Sequence, residues 1–388
     1  MGEFELISHY FAAAPCAQGG EGVALGIGDD CALLGLPAGE QLAVSTDTLV
    51  AGVHFPALCD PWLLGQRSLA VAASDLAAMG ATPIGFTLAL TLPEVSADWL
   101  QAYASGLNRM AGHCQLSLIG GDTTRGPLSI TMTVFGRVPV GQALRRDGAR
   151  PGDLLCVGGE LGNAAGALPL VLGQRQADAA LAQPLLDHYW SPSPQFALGQ
   201  LLRGRATSAL DISDGLLADC GHIAKGSRVA LEVNLEQVPV SSALQGLLGA
   251  EAAVHAALTG GDDYVLAFTL PPAELSSLQA QGLAAFHVIG RVLEGQGVSL
   301  RDRQGQDITP RQRGYQHFRE TPWPITPTRC LRSLFRLRSG ATRGTSSPSV
   351  SVLAPCQRRR APGARWWPYR SSRCGRCCPT GATGCCWA

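Results

Sequence analysis

Ser45-Thr46-Asp47-Thr48-Leu49-Val50-Ala51-Gly52-Val53-His54-Phe55 follows directly on the apolar run Leu42-Ala43-Val44. Read alone, this is a strand end giving way to a loop that presents two hydroxyls and a carboxylate on consecutive residues. α/β folds place their chemistry at such strand ends. Carboxylate, hydroxyl and carbonyl oxygens are the ligands of hard cations such as Mg²⁺. A single triplet of this kind also serves to cap a turn. Recurrence of carboxylate-bearing strand ends along the chain decides for the first reading.

Upstream, Leu25-Gly26-Ile27-Gly28-Asp29-Asp30-Cys31-Ala32-Leu33-Leu34 sets two adjacent acids between apolar runs. Adjacent carboxylates repel and need solvent or a cation. Downstream, residues 61–79 read as a Leu/Ala-rich helix closed by Gly80, with Asp75 in its last turns at the unfavourable end of the dipole. A strand over 84–92 and a helix over 97–112 lead to the strand Leu116-Ser117-Leu118-Ile119. It runs into Gly120-Gly121-Asp122-Thr123-Thr124-Arg125-Gly126, a loop suited to phosphate and metal. Residues 128–138 alternate like a strand pairing back. Arg145-Arg146 follow in a loop, either as a phosphate contact or as a solvated basic pair.

Arg150-Pro151-Gly152-Asp153 reads as a domain junction. Beyond it, Gly162-Asn163-Ala164-Ala165-Gly166 opens a helix but lacks a dinucleotide fingerprint. Ser208-Ala209-Leu210 runs into Asp211-Ile212-Ser213-Asp214-Gly215, and Gly260-Gly261-Asp262-Asp263-Tyr264 precedes a strand over 265–268. Strands alternating with helices in two successive halves imply a two-domain α/β (α+β) chain. Six Asp-bearing loops are expected to converge on one cleft.

The 388 residues are 46% hydrophobic and include 47 glycines, which suits packed layers with many turns. No apolar run reaches ~18 residues, so no membrane helix is expected. Met1-Gly2-Glu3-Phe4-Glu5 is acidic and leads into no apolar signal core, so a cytoplasmic location is expected. From Thr321 onward the chain has 12 Arg and no Lys, Asp or Glu; the remainder carries 18 basic side chains against all 30 acidic ones, a net of −12. An acidic body argues against a nucleic-acid partner.

The tail holds 7 of the 13 Cys and 4 of the 7 Trp. Cys374-Gly375-Arg376-Cys377-Cys378 and Cys385-Cys386 lack the second pair and nearby His of a zinc finger. The Arg tract also suits an arm for anionic partners. The favoured reading is translation in a shifted frame. Ala361-Pro362-Gly363-Ala364-Arg365-Trp366 can be written in codons that, moved one nucleotide, encode Gly-Thr-Trp-Gly-Ser-Leu, similar to part of phosphatidylglycerophosphatase A. Residues 319–388 are therefore expected to be a disordered, aberrant tail.

No Walker-type loop is present, and the one lysine of residues 1–320, Lys225, is poorly placed for a Schiff base. His54, His222 and His317 are isolated, and no Gly-x-Ser-x-Gly elbow occurs. Carboxylates, hydroxyls and glycine-rich loops remain, a set suited to several Mg²⁺ ions and a polyphosphate.

Taken together, residues 26–32, 45–55, 74–81, 119–126, 211–217 and 260–264 resemble, in order, the motifs of the thiamine-monophosphate kinase family, over about residues 2–318. The resemblance implies an aminoimidazole ribonucleotide synthetase-like architecture. Residues 1–140 would form an N-terminal mixed-sheet domain for ATP, Mg²⁺ and dimerisation, and residues 150–318 a C-terminal α/β domain. It implies Mg²⁺ ligands Asp30, Ser45, Thr46, Asp47, Asp75, Asp122, Asp211 and Asp214. ATP contacts would be Tyr103, Gly121, Asp122, Arg146 and Ser213. Contacts to thiamine monophosphate would be His54, Asp262 and Tyr315. A homodimer, direct phosphoryl transfer, no catalytic base and no covalent enzyme intermediate are also implied. One departure stands out: the family has Gly-Gly-Glu-Asp-Tyr-Glu where this chain has Asp262 and Val265. Two rivals are another ATP-using synthetase of the same fold group and a non-catalytic nucleotide-binding protein.

Overall fold

The structure, a computed structural model, describes residues 3–315. The tail motifs and the shifted-frame reading lie outside the described residues, as does His317. The chain enters through a short helix, α1 (Glu3–Leu6), and a helical turn over 7–12 that buries Ile7, Tyr10 and Phe11. A two-stranded ribbon, β1 (Val23–Leu25) with β2 (Leu33–Leu34), frames the Asp29-Asp30 segment.

Four strands then form a mixed sheet: β3 (Glu40–Val50), β4 (Thr82–Leu92), β5 (Ser117–Arg125) and β6 (Ser129–Pro139), in the order β3-β6-β4-β5. β4 and β5 are parallel and the other pairs antiparallel. Helices α2 (Pro61–Ala78) and α3 (Ala97–Cys114) are joined to this sheet through a common core that includes Leu64, Leu69, Leu76, Leu88, Leu107 and Met132. α2 starts where Asp60 accepts a hydrogen bond from the Trp62 N–H at 2.8 Å and Pro61 takes the first helical position, whose missing N–H costs nothing there.

Two of these strands outrun their sequence reading. β3 does not stop at Val44 but pairs with β6 through Val50, and β5 continues through Gly120-Gly121-Asp122 to Arg125. β-branched residues explain the first: Thr46 and Thr48 sit opposite Thr133 and Thr131, with hydroxyl contacts of 3.0 and 2.8 Å. For the second, Gly121 at φ +155° brings β5 so close to β4 that a Cβ there would stand 1.9 Å from the Leu88 carbonyl oxygen. The motif residues are thus in mid-strand, and alternation sends neighbours to opposite faces.

The second half is a six-stranded sheet of β7 (Leu154–Val157), β8 (Ser208–Asp211), β9 (Ala230–Asn234), β10 (Leu266–Leu270), β11 (His287–Leu293) and β12 (Gly297–Arg301). Its order is β12-β9-β11-β7-β10-β8, with only β12 and β9 parallel. β10 is buried throughout its length, as a central strand covered on both faces must be. Helices α4 (Asn163–Val171) and α5 (Ala179–Trp190) share a separate apolar cluster through Ala164, Ala167, Leu185 and Tyr189, while Leu202 of α6 (Phe196–Leu202) and helix α7 (Leu216–Ser227) pack on this sheet. α2 also touches α5, α6 and β8, so one helix serves both halves.

Candidate active site

Arg67, Val71 and Asp75 recur every fourth residue of α2 and all line one cleft of about 420 Å³. Eight residues at 1.5 Å rise set Arg67 and Asp75 about 12 Å apart along the helix. Asp47 and His54, Arg146, Asp211, Ser213, Asp214, Asp262, Tyr264 and Tyr315 supply the walls. An adjoining recess of about 630 Å³, lined by Val44, Ser45, Met79 and Ala209, shares Asp75, Arg146 and Asp211 with the cleft.

At the Asp75 end, hydroxyls already hold the acids. Ser45 Oγ donates to Asp75 Oδ2, and Ser74 Oγ donates to Asp211 Oδ2 at 2.7 Å. Burial, then the neighbouring Asp75, pushes the Asp211 carboxyl up to about 6. Burial, then Asp75 and Asp211, does the same to Asp47, also to about 6. The donors are all oxygens and their ionised forms repel. A divalent hard cation relieves both costs, so the donor set fits Mg²⁺. Among the described residues no three His, Cys, Asp or Glu side chains close into a ready-made metal cage.

The loop after β8 is shaped by Asp219, in the first turn of α7. Its Oδ2 accepts the backbone N–H groups of Ser213, Asp214 and Gly215 at 3.1, 2.9 and 3.1 Å. Burial pushes this carboxyl up to about 7 against the pull of those amides. The second loop zips onto the first: Asp262 N–H donates to Ser213 O at 2.7 Å and Tyr264 N–H to Ile212 O at 2.8 Å. Gly261, at φ +70°, makes this approach possible, since a Cβ would stand 2.4 Å from Ser213 O. Tyr315 N–H then donates to Asp214 O at 2.9 Å. Behind the loop, Asp263 Oδ2 accepts the Gly162 N–H at 2.7 Å and His188 Nε2 lies 3.1 Å from the Asp263 carbonyl oxygen.

At the Arg67 end, Arg67 Nη2 donates to both oxygens of Asp262 at 2.7 Å, and Nη1 donates to the Tyr189 carbonyl. The guanidinium carbon lies 4.0 Å from the centroid of the Tyr189 ring. His54 Nδ1 accepts the Val50 N–H at 3.0 Å, which leaves the proton of the neutral ring on Nε2. Tyr189 Oη donates to the His54 carbonyl at 3.3 Å.

Of the expected metal ligands, Asp47, Asp75, Asp211 and Asp214 line the cleft, with Ser45 on the adjoining recess. So do Arg146 and Ser213, expected at ATP, and His54, Asp262 and Tyr315, expected at the substrate. Besides Tyr103, four residues stand elsewhere within this chain. Asp30 is in an exposed turn, its N–H on the side chain of Asp29. Thr46 is exposed on the far face of β3, because alternation turns it away from Asp47. Asp122 shares the row of Ala89, Thr131 and Thr48 on that far face, about 14 Å and three strands from β3. Gly121 lies across from Leu88 in the sheet and lines neither cavity.

Tyr103 stands furthest from its expected place. It is 0% exposed, its hydroxyl 3.0 Å from Ser68 Oγ and its ring stacked on Trp99, so within this chain it is a core side chain that lines neither cavity. The reading from sequence missed Arg67, Asp219 and Tyr189. Arg67 carried a usable signal as a lone cation in an apolar helix, two four-residue steps before Asp75. Asp219 carried another, as an acid four residues after Gly215 in the first turn of a helix, where orphan amides seek an acceptor.

Family models for the AIR synthase related proteins match this chain, the N-terminal domain over residues 28–138 and the C-terminal domain over residues 150–303. Thiamine-monophosphate kinase from Escherichia coli (strain K12) is 45% identical over 321 residues, 82% of this chain and 98% of that one. The crystal structure of thiamine-monophosphate kinase from Stenotrophomonas maltophilia K279a superposes with a TM-score of 0.68 at 47% identity, covering 72% of this chain and 91% of that one. AaThiL complexed with AMPPCP and TMP superposes with a TM-score of 0.66 at 29% identity, covering 73% and 89%.

Proposed function

This chain belongs to the thiamine-monophosphate kinase family, and from that premise we infer the transfer of the γ-phosphoryl group of ATP to thiamine monophosphate, giving thiamine diphosphate and ADP. The observation that carries this reading is the meeting of Asp47, Asp75 and Asp211, from β3, α2 and β8, in one cleft. The acceptor is a phosphate monoester with a second pKa of about 6, so it is largely dianionic at neutral pH. It attacks without a general base, and no residue of the cleft is needed as a nucleophile. The difficulty is bringing two polyanions together in line.

Asp47, Asp75, Asp211 and Asp214, with Ser45, are the residues proposed to hold Mg²⁺. When bound, the ions neutralise phosphate charge and orient the transferred group. Ser45 and Ser74 fix the carboxylates of Asp75 and Asp211, and Asp219 fixes the loop that carries Ser213 and Asp214. The recess beside the cleft supports a nucleotide position. Its wall of Ala43, Leu76, Ala78 and Met79 suits a base, and its shared rim of Asp75, Arg146 and Asp211 suits the phosphates. His54, Asp262 and Tyr315 would then contact thiamine monophosphate from the cleft side.

We propose a cytoplasmic homodimer joined through the uncovered face of the four-stranded sheet, where Leu42 is 44% and Val44 52% exposed beside Thr46 and Thr48. On that assembly residues 1–140 carry dimerisation and the first Mg²⁺ ligands, residues 150–318 complete the site, and Asp30, Thr46, Gly121 and Asp122 act where the two copies meet. Light scattering on the eluting peak tests the dimer, and a single-copy mass would refute it. For the reaction, the full chain with ATP, Mg²⁺ and thiamine monophosphate should release ADP and thiamine diphosphate one to one. ATP turnover that ignores thiamine monophosphate would point instead to another synthetase of this fold group.

A further inference from the structure

The cleft has two chemically different ends, and α2 measures the distance between them. Asp75 marks the acidic end; about 12 Å away Arg67 and Asp262 mark an end built from an ion pair and aromatic rings. The pair is lopsided in exposure, the Arg67 side chain at 3% and that of Asp262 at 27%. Arg67 therefore stands behind the carboxylate, and it is the carboxylate that a ligand in the cleft meets.

Three features hold Asp262 in place. Arg67 Nη2 grips both oxygens, the Asp262 N–H donates to Ser213 O, and the Tyr264 hydroxyl lies within hydrogen-bond reach of the carboxylate; the residue sits at φ +65°, in the left-handed region that Asp visits more readily than most side chains. Arg67 and Tyr264 occupy part of a carboxylate that can accept about four bonds, so an acceptor position remains for a ligand. Arg67 is itself fixed by the Tyr189 carbonyl and ring.

We propose that Arg67 is a positioning residue that presents Asp262 as an ionised acceptor for a ring amine of the substrate, and so sets the enzyme's preference for an amine-bearing ring. The inference rests on the kinase reading above. Thiamine monophosphate carries its phosphate at one end, an aminopyrimidine at the other and a cationic thiazolium between them. With its phosphate at Asp75, its amine reaches toward Asp262. Because Asp262 neutralises Arg67, the pair offers an acceptor without repelling the cationic ring. An oxygen in place of the amine would set acceptor against acceptor, which a buried site rejects strongly.

The test is steady-state kinetics of the full chain on thiamine monophosphate and on the analogue with the ring amine replaced by oxygen. The wild type should favour the amine by about 100-fold or more in kcat/KM. Asp262→Asn, nearly isosteric, should collapse that ratio to within about threefold. Arg67→Met should raise KM for thiamine monophosphate about tenfold or more, with the loss falling on that KM rather than on kcat or on KM for ATP. Arg67→Lys should recover part of the loss. Equal use of both compounds by the wild type overturns the inference, as does an Asp262→Asn enzyme that keeps the full preference. An Arg67→Met loss confined to kcat or to ATP also overturns it. A thermal melt of each variant separates misfolding from these outcomes, and Asp262→Asn decides alone should Arg67→Met not fold. A wild type that phosphorylates neither compound removes the kinase reading itself, and the inference with it.

Discussion

The two faces of β3 carry nearly the same residue types and do different things. Ser45 and Asp47 point to the helix-covered face, where Asp75 and Asp211 meet them and burial lifts two carboxyls to about 6. Thr46 and Thr48 point the other way and pair with Thr133 and Thr131 in an exposed row of hydroxyls. One peptide unit separates a half-buried acidic site from a face that is exposed within the single chain. Side-chain type alone does not make a site; the second layer of structure on one face does.

The strongest way to break this contrast is Asp47→Ala. It should lower kcat by about 10²–10³-fold while the circular dichroism spectrum stays unchanged. Activity within threefold of wild type would remove Asp47 from the site. Next comes Asp219→Ala, which orphans three amides at once and should cost about 10–10²-fold in kcat/KM and about 1–3 kcal/mol of stability. Denaturant unfolding beside kinetics checks both, and an unchanged kcat/KM would mean the loop holds itself.

The electrostatic difference between the faces predicts a pH effect. Asp47 and Asp211 rise from 3.8 to about 6 on folding, and Asp219 to about 7. A raised acid stabilises the fold fully below the unfolded value and loses that contribution as pH climbs through the folded one. Melting of the metal-free chain should therefore fall by a few °C between pH 5 and pH 8. Mg²⁺ should reverse the trend, because it binds the ionised carboxylates. A flat profile would show that the acids are already solvated or paired.

The smallest expected effect sharpens the contrast from the far face. Thr46→Val keeps the β-branched shape and removes one hydroxyl of the face where the two copies are proposed to meet, so kcat should fall by about tenfold, well short of the loss in Asp47→Ala. Activity within about twofold of wild type would remove Thr46 from the residues that act across the subunit boundary.

Much of the site was legible because acids recurring at strand ends are costly, and cost implies a compensating partner. Asp47, Asp211 and Asp214 stand out that way and Asp75 by its place at the unfavourable end of a helix, and the alternation of strands and helices points to two sheets. Pattern reading failed where pairing overrode it. Gly120-Gly121-Asp122 has the composition of a loop, yet the ladder with β4 keeps it extended and turns Asp122 to the far face. Tyr103, expected at the nucleotide only through the family resemblance, is turned into the core by its helix. Arg67 and Asp262 lie 195 residues apart, and only the folded chain reveals that they meet.

The hydrogen bond from Tyr315 to the Asp214 carbonyl has a consequence for how the enzyme comes to exist. At about 5–20 residues per second, translation separates Asp47 from Tyr315 by roughly 13–54 s. Once β6 has followed, β3 and α2 can hold Asp47 beside Asp75, while Tyr315, which borders the same cleft, has not been made. The cleft is therefore finished in the order of synthesis, and a nascent chain carries its acids exposed to cellular cations before it can hold its substrate.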